Sequence, residues 1–340
     1  MSRTVDVAVV GATGAVGEVM LKILEQRDFP VGEIYPLASS RSAGQLLTFK
    51  GKTITVGDLS AFDFKGVDIG LFSAGAAVSD VHAPRAAAAG CVVVDNTSRF
   101  RYEPDIPLVV PEVNAARIAQ FTNRRIIANP NCSTIQLVVA LNPIRQAAGL
   151  ERINVCTYQA VSGTGKAAIE ELATQTRCLL NGKPAQNRVY PKQIAFNVLP
   201  HIDAFQENGY TKEEMKMVWE TRKIMEDPEI RVNPTAVRVP VFYGHSEAVH
   251  LETREKISVG EVREILRSAP GVILMDERKD GGYPTAVTEA ANRDGVYVGR
   301  IREDISHPRA INLWVVSDNV RKGAALNSIQ IAEILVKDCL

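Results

Sequence analysis

What the chain has little of narrows its range first. Aromatic residues make up 6% of its 340 residues, and cysteine occurs five times. Cys91, Cys132, Cys156, Cys178 and Cys339 are odd in number and no two stand at CxxC spacing, so neither a disulfide framework nor a zinc site is indicated. Reduced thiols suit the cytoplasm, and no metal is expected. No apolar run approaches the roughly 20 residues that span a bilayer, and Met1 to Asp6 leads into a strand-like run without the pattern of a signal peptide. A soluble cytoplasmic protein without a membrane partner is therefore expected. Neither sign of charge is in excess, because Lys+Arg and Asp+Glu each total 39. A neutral chain offers no global attraction for nucleic acid, so an anionic substrate must be held by cations placed locally.

What is there reads as an ordinary globular enzyme, 46% apolar and 23% charged. The length is too great for one compact core and suggests two domains. Over the first 130 or so residues, short apolar runs alternate with helical patterns, the signature of a parallel α/β sheet. The runs are Val5 to Val10, Glu33 to Ser39, Ile69 to Ser73, Cys91 to Asp95 and Ile126 to Ala128, with a helix expected over Ala76 to Ala89. Beyond them, Arg152 to Val161 and Ala236 to Thr253 contain longer strand-like stretches, and Val296 to Arg302 and Ile311 to Ser317 add two more. Helical patterns at Lys166 to Leu180, Thr211 to Met225 and Val259 to Ala269 interrupt these strands. Thr211 with Glu214 spells a capping box. Pro184 to Asp203 has little periodicity and reads as a long ordered loop, of the kind that often carries function. A last helix is expected from about Ala324 to Lys337. The fold class is α/β: a doubly wound nucleotide domain over 1–131, completed by a C-terminal helix within 321–340, and an α+β mixed-sheet catalytic domain over 132–320.

Gly11-Ala12-Thr13-Gly14-Ala15-Val16-Gly17 lies between the first strand and the first helix. Glycines there let backbone approach a pyrophosphate, whose charge the helix N-terminus attracts. Tight strand-to-helix turns also need glycine, but the position after a valine-rich strand favours a dinucleotide site. An NAD enzyme would end its second strand on a carboxylate for the ribose hydroxyl. Here the strand ends Ala38-Ser39-Ser40-Arg41-Ser42, and hydroxyls with a guanidinium suit the 2′-phosphate of NADP, although a solvated turn has a similar composition.

Asn129-Pro130-Asn131-Cys132-Ser133-Thr134 follows a β-branched run and precedes an apolar helix expected to run to about Leu141. That sets Cys132 near a helix N-terminus, which stabilises a thiolate, the nucleophile an aldehyde-oxidising enzyme needs. A free cysteine is more often a small buried hydrophobe, and the other four cysteines lack this context. Of the five histidines, His245 follows Tyr243-Gly244 in a strand-rich stretch and is the best placed to serve as a base.

At these residues the sequence resembles the aspartate-β-semialdehyde dehydrogenase family from end to end. Nine motifs occur in the family's order. They are GATGAVG (11–17), LASSRSAG (37–44), DNTSRFR (95–101), VPEVN (110–114), NPNCST (129–134), YQAVSGTGK (158–166), NGYTKEEMK (208–216), RVPVFYGHSE (238–247) and DNVRKGAALN (318–327). The resemblance implies a Rossmann-type first domain, a homodimer, and NADPH-dependent reduction of aspartyl phosphate to aspartate semialdehyde and phosphate. It places that reaction in the biosynthesis of lysine, methionine, threonine and isoleucine. It makes Cys132 the nucleophile, His245 the acid/base and Gln159 the residue that orients the acyl group. Arg238 would clamp the α-carboxylate and Glu213 the α-ammonium; Lys216 and Arg101 would hold phosphate, with Asn131 beside the sulfur. Gly163, Gly165 and Asn319 match cofactor contacts.

Spacing bears on parts of this. Glu213 and Lys216 share a helix face, where a surface ion pair is the ordinary outcome. Arg99 and Arg101 have the same parity, so only the motif selects Arg101. Arg238 and His245 are seven apart and fall on opposite faces of a straight strand unless Pro240 and Gly244 break the register. An N-acetyl-γ-glutamyl-phosphate reductase shares the thioester logic, but Glu213 suits a free ammonium. A glyceraldehyde-phosphate dehydrogenase would resemble SCTT at the nucleophile. A non-catalytic nucleotide-binding paralogue is the reading from another class.

Overall fold

The computed structural model describes residues 4–340, which divide into two compact units, residues 4–131 with 324–340 and residues 132–323. Residues 321–323 thus fall with the second unit. Among the described residues, no helix is long and apolar enough to cross a membrane.

In the first unit the valine-rich run forms β1 (Val5–Val10), and the glycine turn leads into α1 (Ala15–Gln26). There follow β2 (Val31–Ala38), a hairpin of β3 (Leu46–Phe49) and β4 (Lys52–Thr55), and β5 (Gly57–Asp58). β6 (Ile69–Phe72), α2 (Ala76–Ala88), β7 (Val92–Asp95), α3 (Pro111–Asn114) and β8 (Ile126–Ala128) complete this part of the chain. Six strands make one parallel sheet in the order β5-β2-β1-β6-β7-β8. Val7, Val9, Leu71 and Val94 pack with Met20, Ile23 and Leu24 of α1 and with Ile329 and Leu335 of the C-terminal helix (Leu326–Asp338). Each such side chain contributes roughly 1.5–3 kcal/mol of burial. The β3–β4 hairpin was not legible in the sequence. Its turn residues Lys50 and Gly51 have φ of 48° and 73°, but Lys-Gly lacks the Asn or Asp that usually announces such a turn.

The second unit opens with α4 (Cys132–Ala148), β9 (Leu150–Gln159), α5 (Lys166–Leu180) and α6 (Lys212–Met225). It continues through β10 (Arg231–Arg238), β11 (His245–Thr253), α7 (Val259–Ser268), β12 (Val272–Leu274), β13 (Val296–Glu303) and β14 (Ala310–Ser317). Its mixed sheet runs β10-β9-β11-β14-β13-β12. α4 lies over one face, where alternate residues Val155, Thr157 and Gln159 of β9 are buried, while Cys156 and Tyr158 on the other face are half-exposed. The strand-rich stretch Ala236 to Thr253 holds the end of β10 and all of β11, parted where Pro240 brings no N–H and Gly244 takes φ of 89°. One expectation is corrected. α4 does not stop near Leu141 but passes through Pro143 to Ala148, because Leu141, Ile144 and Ala148 are buried and hold the last turns in place. The capping box at Thr211 is formed in both directions, and the second oxygen of Glu214 accepts the Ala236 N–H at 2.9 Å, tying α6 to β10.

The stretch 184–203 carries no helix or strand, yet it is pinned by two side chains one turn apart on α5. The Glu171 carboxylate accepts the backbone N–H groups of Arg188 at 2.8 Å, Tyr190 at 3.3 Å, and Val189 between them. The Gln175 carbonyl accepts those of Ile194 at 3.0 Å and Ala195 at 3.1 Å. The loop then pairs with the site, since Leu199 and Arg238 exchange backbone hydrogen bonds at 2.9 and 2.8 Å. Replacing either pin by Ala leaves buried donors without partners, a loss of about 1–3 kcal/mol. Glu171→Ala is expected to lower the melting temperature and to make the 184–199 segment the first site of limited proteolysis; unchanged melting and cleavage would refute this role.

Candidate active site

The glycine turn of the first unit is built for an anion. The N–H groups of Gly11 and Ala12 both donate to Leu37 O, at 2.8 and 3.1 Å, which holds the turn beside the end of β2. Gly17 leaves no room for a side chain, since an added Cβ would lie 2.2 Å from Gly11 O. Gly14 is the N-cap of α1 and no side chain caps the helix, so Thr13, Ala15 and Val16 present backbone at a positive helix end. Ser39 to Ser42 turn outward after β2, the parallel neighbour of β1, with Ser39, Ser40 and Arg41 exposed. β1 has β2 on one side and β6 on the other, and such a reversal of strand order is where α/β sheets bind ligands.

Arg99 and Arg101, equivalent by parity, have different surroundings. Arg99 pairs with Asp80 and with Glu103 at 2.9 Å on the surface. Arg101 is buried and donates to Asn96 O at 3.0 Å. The Asn129 amide donates to Asn96 Oδ1 at 2.6 Å and its carbonyl accepts from Asn327 at 2.7 Å, so the segment ending at the buried Asn131 is fixed.

In the second unit Cys132 is the first residue of α4 and is part-exposed. A Cβ on Gly323 would sit 2.8 Å from Cys132 Cβ, so the chain following β14 presses on the cysteine where only glycine fits. One residue on, the Ser133 hydroxyl accepts from Gln159 Nε2. The same nitrogen donates to Glu213 Oε1 at 3.1 Å, and the other Glu213 oxygen accepts from Lys216 Nζ at 2.9 Å. Lys216 also reaches Asp203 at 2.8 Å. The surface ion pair expected for Glu213 and Lys216 is instead a largely buried chain of polar groups, because the 203 loop and β9 cover that face of α6. Burial works against the Lys216 charge, but Glu213 and Asp203 together hold its pKa above the usual lysine value.

Arg238 and His245 converge. The break after Arg238 removes the parity that would have set them apart, and a Cβ on Gly163 would lie 3.1 Å from Arg238 Nη1 and 3.4 Å from His245 Nε2. Arg238 is buried, donates to Ala160 O at 2.7 Å and keeps a buried Nε without a partner, a fit for an incoming carboxylate. His245 Nδ1 accepts the Ala160 N–H at 3.0 Å, whereas its buried Nε2 has no partner. Burial, followed by the Arg238 charge, lowers the His245 pKa to about 3, against the opposing pull of Glu213 and the Gly244 carbonyl. Asn319 accepts the Gly244 N–H at 2.9 Å and bonds Ser162 at about 3 Å, so it joins the His245 and Gly163 segments. Gly165, with φ of 102°, starts α5. Of the remaining cysteines, Cys91 is buried deeply enough to push its pKa up to about 12.

Sequence reading missed Ser133, Ala160, Asp203 and Gly323, which act through position or backbone. It also missed Glu247, two residues beyond His245 on the same face of β11 and fully buried. Both Glu247 oxygens lack a hydrogen-bond partner, although the Gln136 amide of α4 lies close enough to favour the ionised form slightly.

Residues 6–121 match the family described as semialdehyde dehydrogenase, NAD binding domain, and residues 141–322 its dimerisation domain. The chain is 63% identical to aspartate-semialdehyde dehydrogenase of Legionella pneumophila, over 100% of this chain and 98% of that one. It is similar to the crystal structure of aspartate semialdehyde dehydrogenase II of Vibrio cholerae complexed with ASA, with a TM-score of 0.98, 60% identity and full coverage of both chains. Aspartate semialdehyde dehydrogenase of Candida albicans, solved with NADP, superposes with a TM-score of 0.76 at 28% identity over 98% of each chain.

Two buried groups set opposite pH dependences on stability. Burial pushes the Glu247 carboxyl well above the usual carboxylate range, so its stability contribution is complete below about pH 4.5 and falls as pH rises. His245 is lowered, so its contribution is complete above about pH 6.5 and falls as pH drops toward about 3. Glu247→Gln, neutral at every pH, is expected to gain unfolding free energy over the parent as pH rises from about 5 to about 8, by at most about 1.4 kcal/mol per unit. Urea unfolding at the two pH values checks this, and an equal difference at both would contradict it.

Proposed function

This chain belongs to the aspartate-semialdehyde dehydrogenase family, and on that premise we propose that it reduces L-aspartyl-4-phosphate to L-aspartate 4-semialdehyde and phosphate, reversibly, with NADPH. The observation that carries the reading is the seating of Cys132 on the N-terminus of α4, whose next residue is tied through Gln159 to Glu213 and Lys216, in the unit where buried Arg238 and His245 converge. The glycine turn with its open helix N-terminus, and the Ser-Arg-Ser turn without a carboxylate, fit the pyrophosphate and the 2′-phosphate of NADP. Gly163, Gly165 and Asn319 complete the cofactor residues. When bound, NADPH supplies the hydride that reduces the acyl carbon.

The chain's own residues do the rest. Cys132 attacks the acyl carbon of aspartyl phosphate and phosphate leaves, so that a thioester holds the acyl group on the enzyme. Gln159, fixed by Ser133 and Glu213, orients that acyl group without adding charge. Arg238 receives the substrate α-carboxylate and Glu213 the α-ammonium. Lys216 and Arg101 bind the phosphate, and Asn131 lies next to the nucleophile. His245 serves as the acid/base that handles the proton of the thiol.

The half-exposed sheet face of the second unit, where Tyr158 and Trp314 have ring centroids 5.5 Å apart, suits a homodimer interface. A cytoplasmic enzyme of lysine, methionine, threonine and isoleucine biosynthesis fits these features.

Phosphate-dependent reduction of NADP with aspartate semialdehyde tests the reading, beside NAD and N-acetylglutamate semialdehyde as controls. Turnover is expected with aspartate semialdehyde, phosphate and NADP. Cys132→Ser is expected to lower kcat by at least about 10³-fold with little change in NADP affinity, because serine is a far weaker nucleophile at neutral pH. Loss of both activity and NADP binding would make the cysteine structural.

A further inference from the structure

Lys216 stands between two carboxylates. Its Nζ lies 2.9 Å from Glu213 Oε2 and 2.8 Å from Asp203 Oδ2, and the other Glu213 oxygen accepts from Gln159 at 3.1 Å. Glu213 suffices to meet the α-ammonium and Lys216 to help hold phosphate, so Asp203 is left without a task. We infer that Asp203 is a specificity-determining residue, an assignment that rests on the role of Glu213 given above. By drawing the Lys216 charge toward itself, it preserves in Glu213 the negative charge that selects a substrate with a free α-ammonium.

Two carboxylates share one ammonium, so these three side chains together carry an excess of one negative charge. Glu213 with Lys216 alone would be a neutral couple, with nothing left over for a second cation. Their side chains are only 7% and 11% exposed, where salt and water screen poorly, so a third charge at contact distance is felt. Burial opposes the Asp203 charge, but the Lys216 hydrogen bond and charge hold its pKa below the usual carboxylate range. Asp203 is therefore ionised at neutral pH. When an ammonium reaches Glu213 and displaces part of its contact with Lys216, Asp203 still holds the lysine. Of the three N–H bonds on Lys216, two go to the carboxylates and the third can serve phosphate.

Backbone on both sides fixes Asp203 in this position. Before it, Leu199 exchanges hydrogen bonds with Arg238. After it, Ala204 O accepts the Lys212 N–H at 2.7 Å, and Phe205 pairs with Thr211 as an antiparallel bridge. Thr211 is the N-cap of α6, so the turn folds the 203 segment back onto the start of the helix that bears Glu213 and Lys216. Asp203 takes φ of 69°, in the left-handed region that aspartate enters more readily than most residues. Its Oδ1 accepts the Ala204 N–H at 2.8 Å, which leaves Oδ2 directed at the lysine.

The test is steady-state kinetics of Asp203→Asn beside the parent. Aspartate semialdehyde is the substrate, and 4-oxobutanoate, the same aldehyde without its amine, is the competitive inhibitor. Asparagine keeps the size of aspartate and tolerates the same left-handed backbone. The KM for aspartate semialdehyde is expected to rise at least about tenfold, with kcat within about threefold of the parent. The inhibition constant of 4-oxobutanoate is expected to stay within about twofold, because that molecule has no ammonium for Glu213. Equal weakening of the two compounds would mean general damage to the site and would overturn the inference, as would no change in either. A rise in the phosphate KM in place of the aldehyde KM would also overturn it, since Asp203 would then serve only the phosphate role of Lys216. A parent without turnover would overturn the functional reading and this assignment together, whereas an active parent with an unchanged preference for the amine overturns the assignment alone.

Discussion

Cys132 is the first residue of α4, and Gly323 approaches so closely that a single added carbon would lie 2.8 Å from the cysteine Cβ. The rest of the second unit depends on that seating. α4 must lie flat on the sheet to present its first turn, and Leu137, Leu141, Ile144 and Ala148 are buried to keep it there, even at the cost of carrying Pro143. The helix end carries a positive potential, which would favour a thiolate at that position. Ser133, the next residue, ties that end to β9 through Gln159.

From this point polar groups are passed along in order. Gln159 donates its second hydrogen bond to Glu213, which accepts another from Lys216, and Lys216 also donates to Asp203. Each member is held by its neighbours, so little ordering remains to be done when substrate arrives. The loop that contributes Asp203 is itself fixed by Glu171 and Gln175 of α5, and its Leu199 pairs with the backbone of Arg238. Scaffold and site are thus one connected set of hydrogen bonds. The two fully buried groups His245 and Glu247 stand on one face of β11, and burial favours the neutral form of each.

Much of this was legible in the sequence, for physical reasons that differ by element. The valine-rich β1, the glycine turn and the capping box at Thr211 announce themselves because local chemistry decides them. The parallel sheet followed by a mixed sheet was readable from the change in strand length. The β3–β4 hairpin was hidden because Lys50 adopts positive φ without being Asn, Asp or Gly. The end of α4 was misread because tertiary burial outweighed proline. Spacing alone could not join Arg238 to His245, since the break at 239–244 discards strand parity. The burial of Glu213 with Lys216 depends on a loop distant in sequence. Ala160 and Gly323 act through a backbone N–H and an absent side chain, and neither leaves a signature that residue type can show.

The thioester on Cys132 is the central claim, and mass spectrometry reads it directly. The protein, incubated with aspartate semialdehyde and NADP in the absence of phosphate, is quenched in acid and digested. An aspartyl adduct confined to the Cys132 peptide, and discharged by added phosphate, is the expected result. An adduct on another cysteine, or none while NADP is still reduced, would contradict covalent catalysis at Cys132.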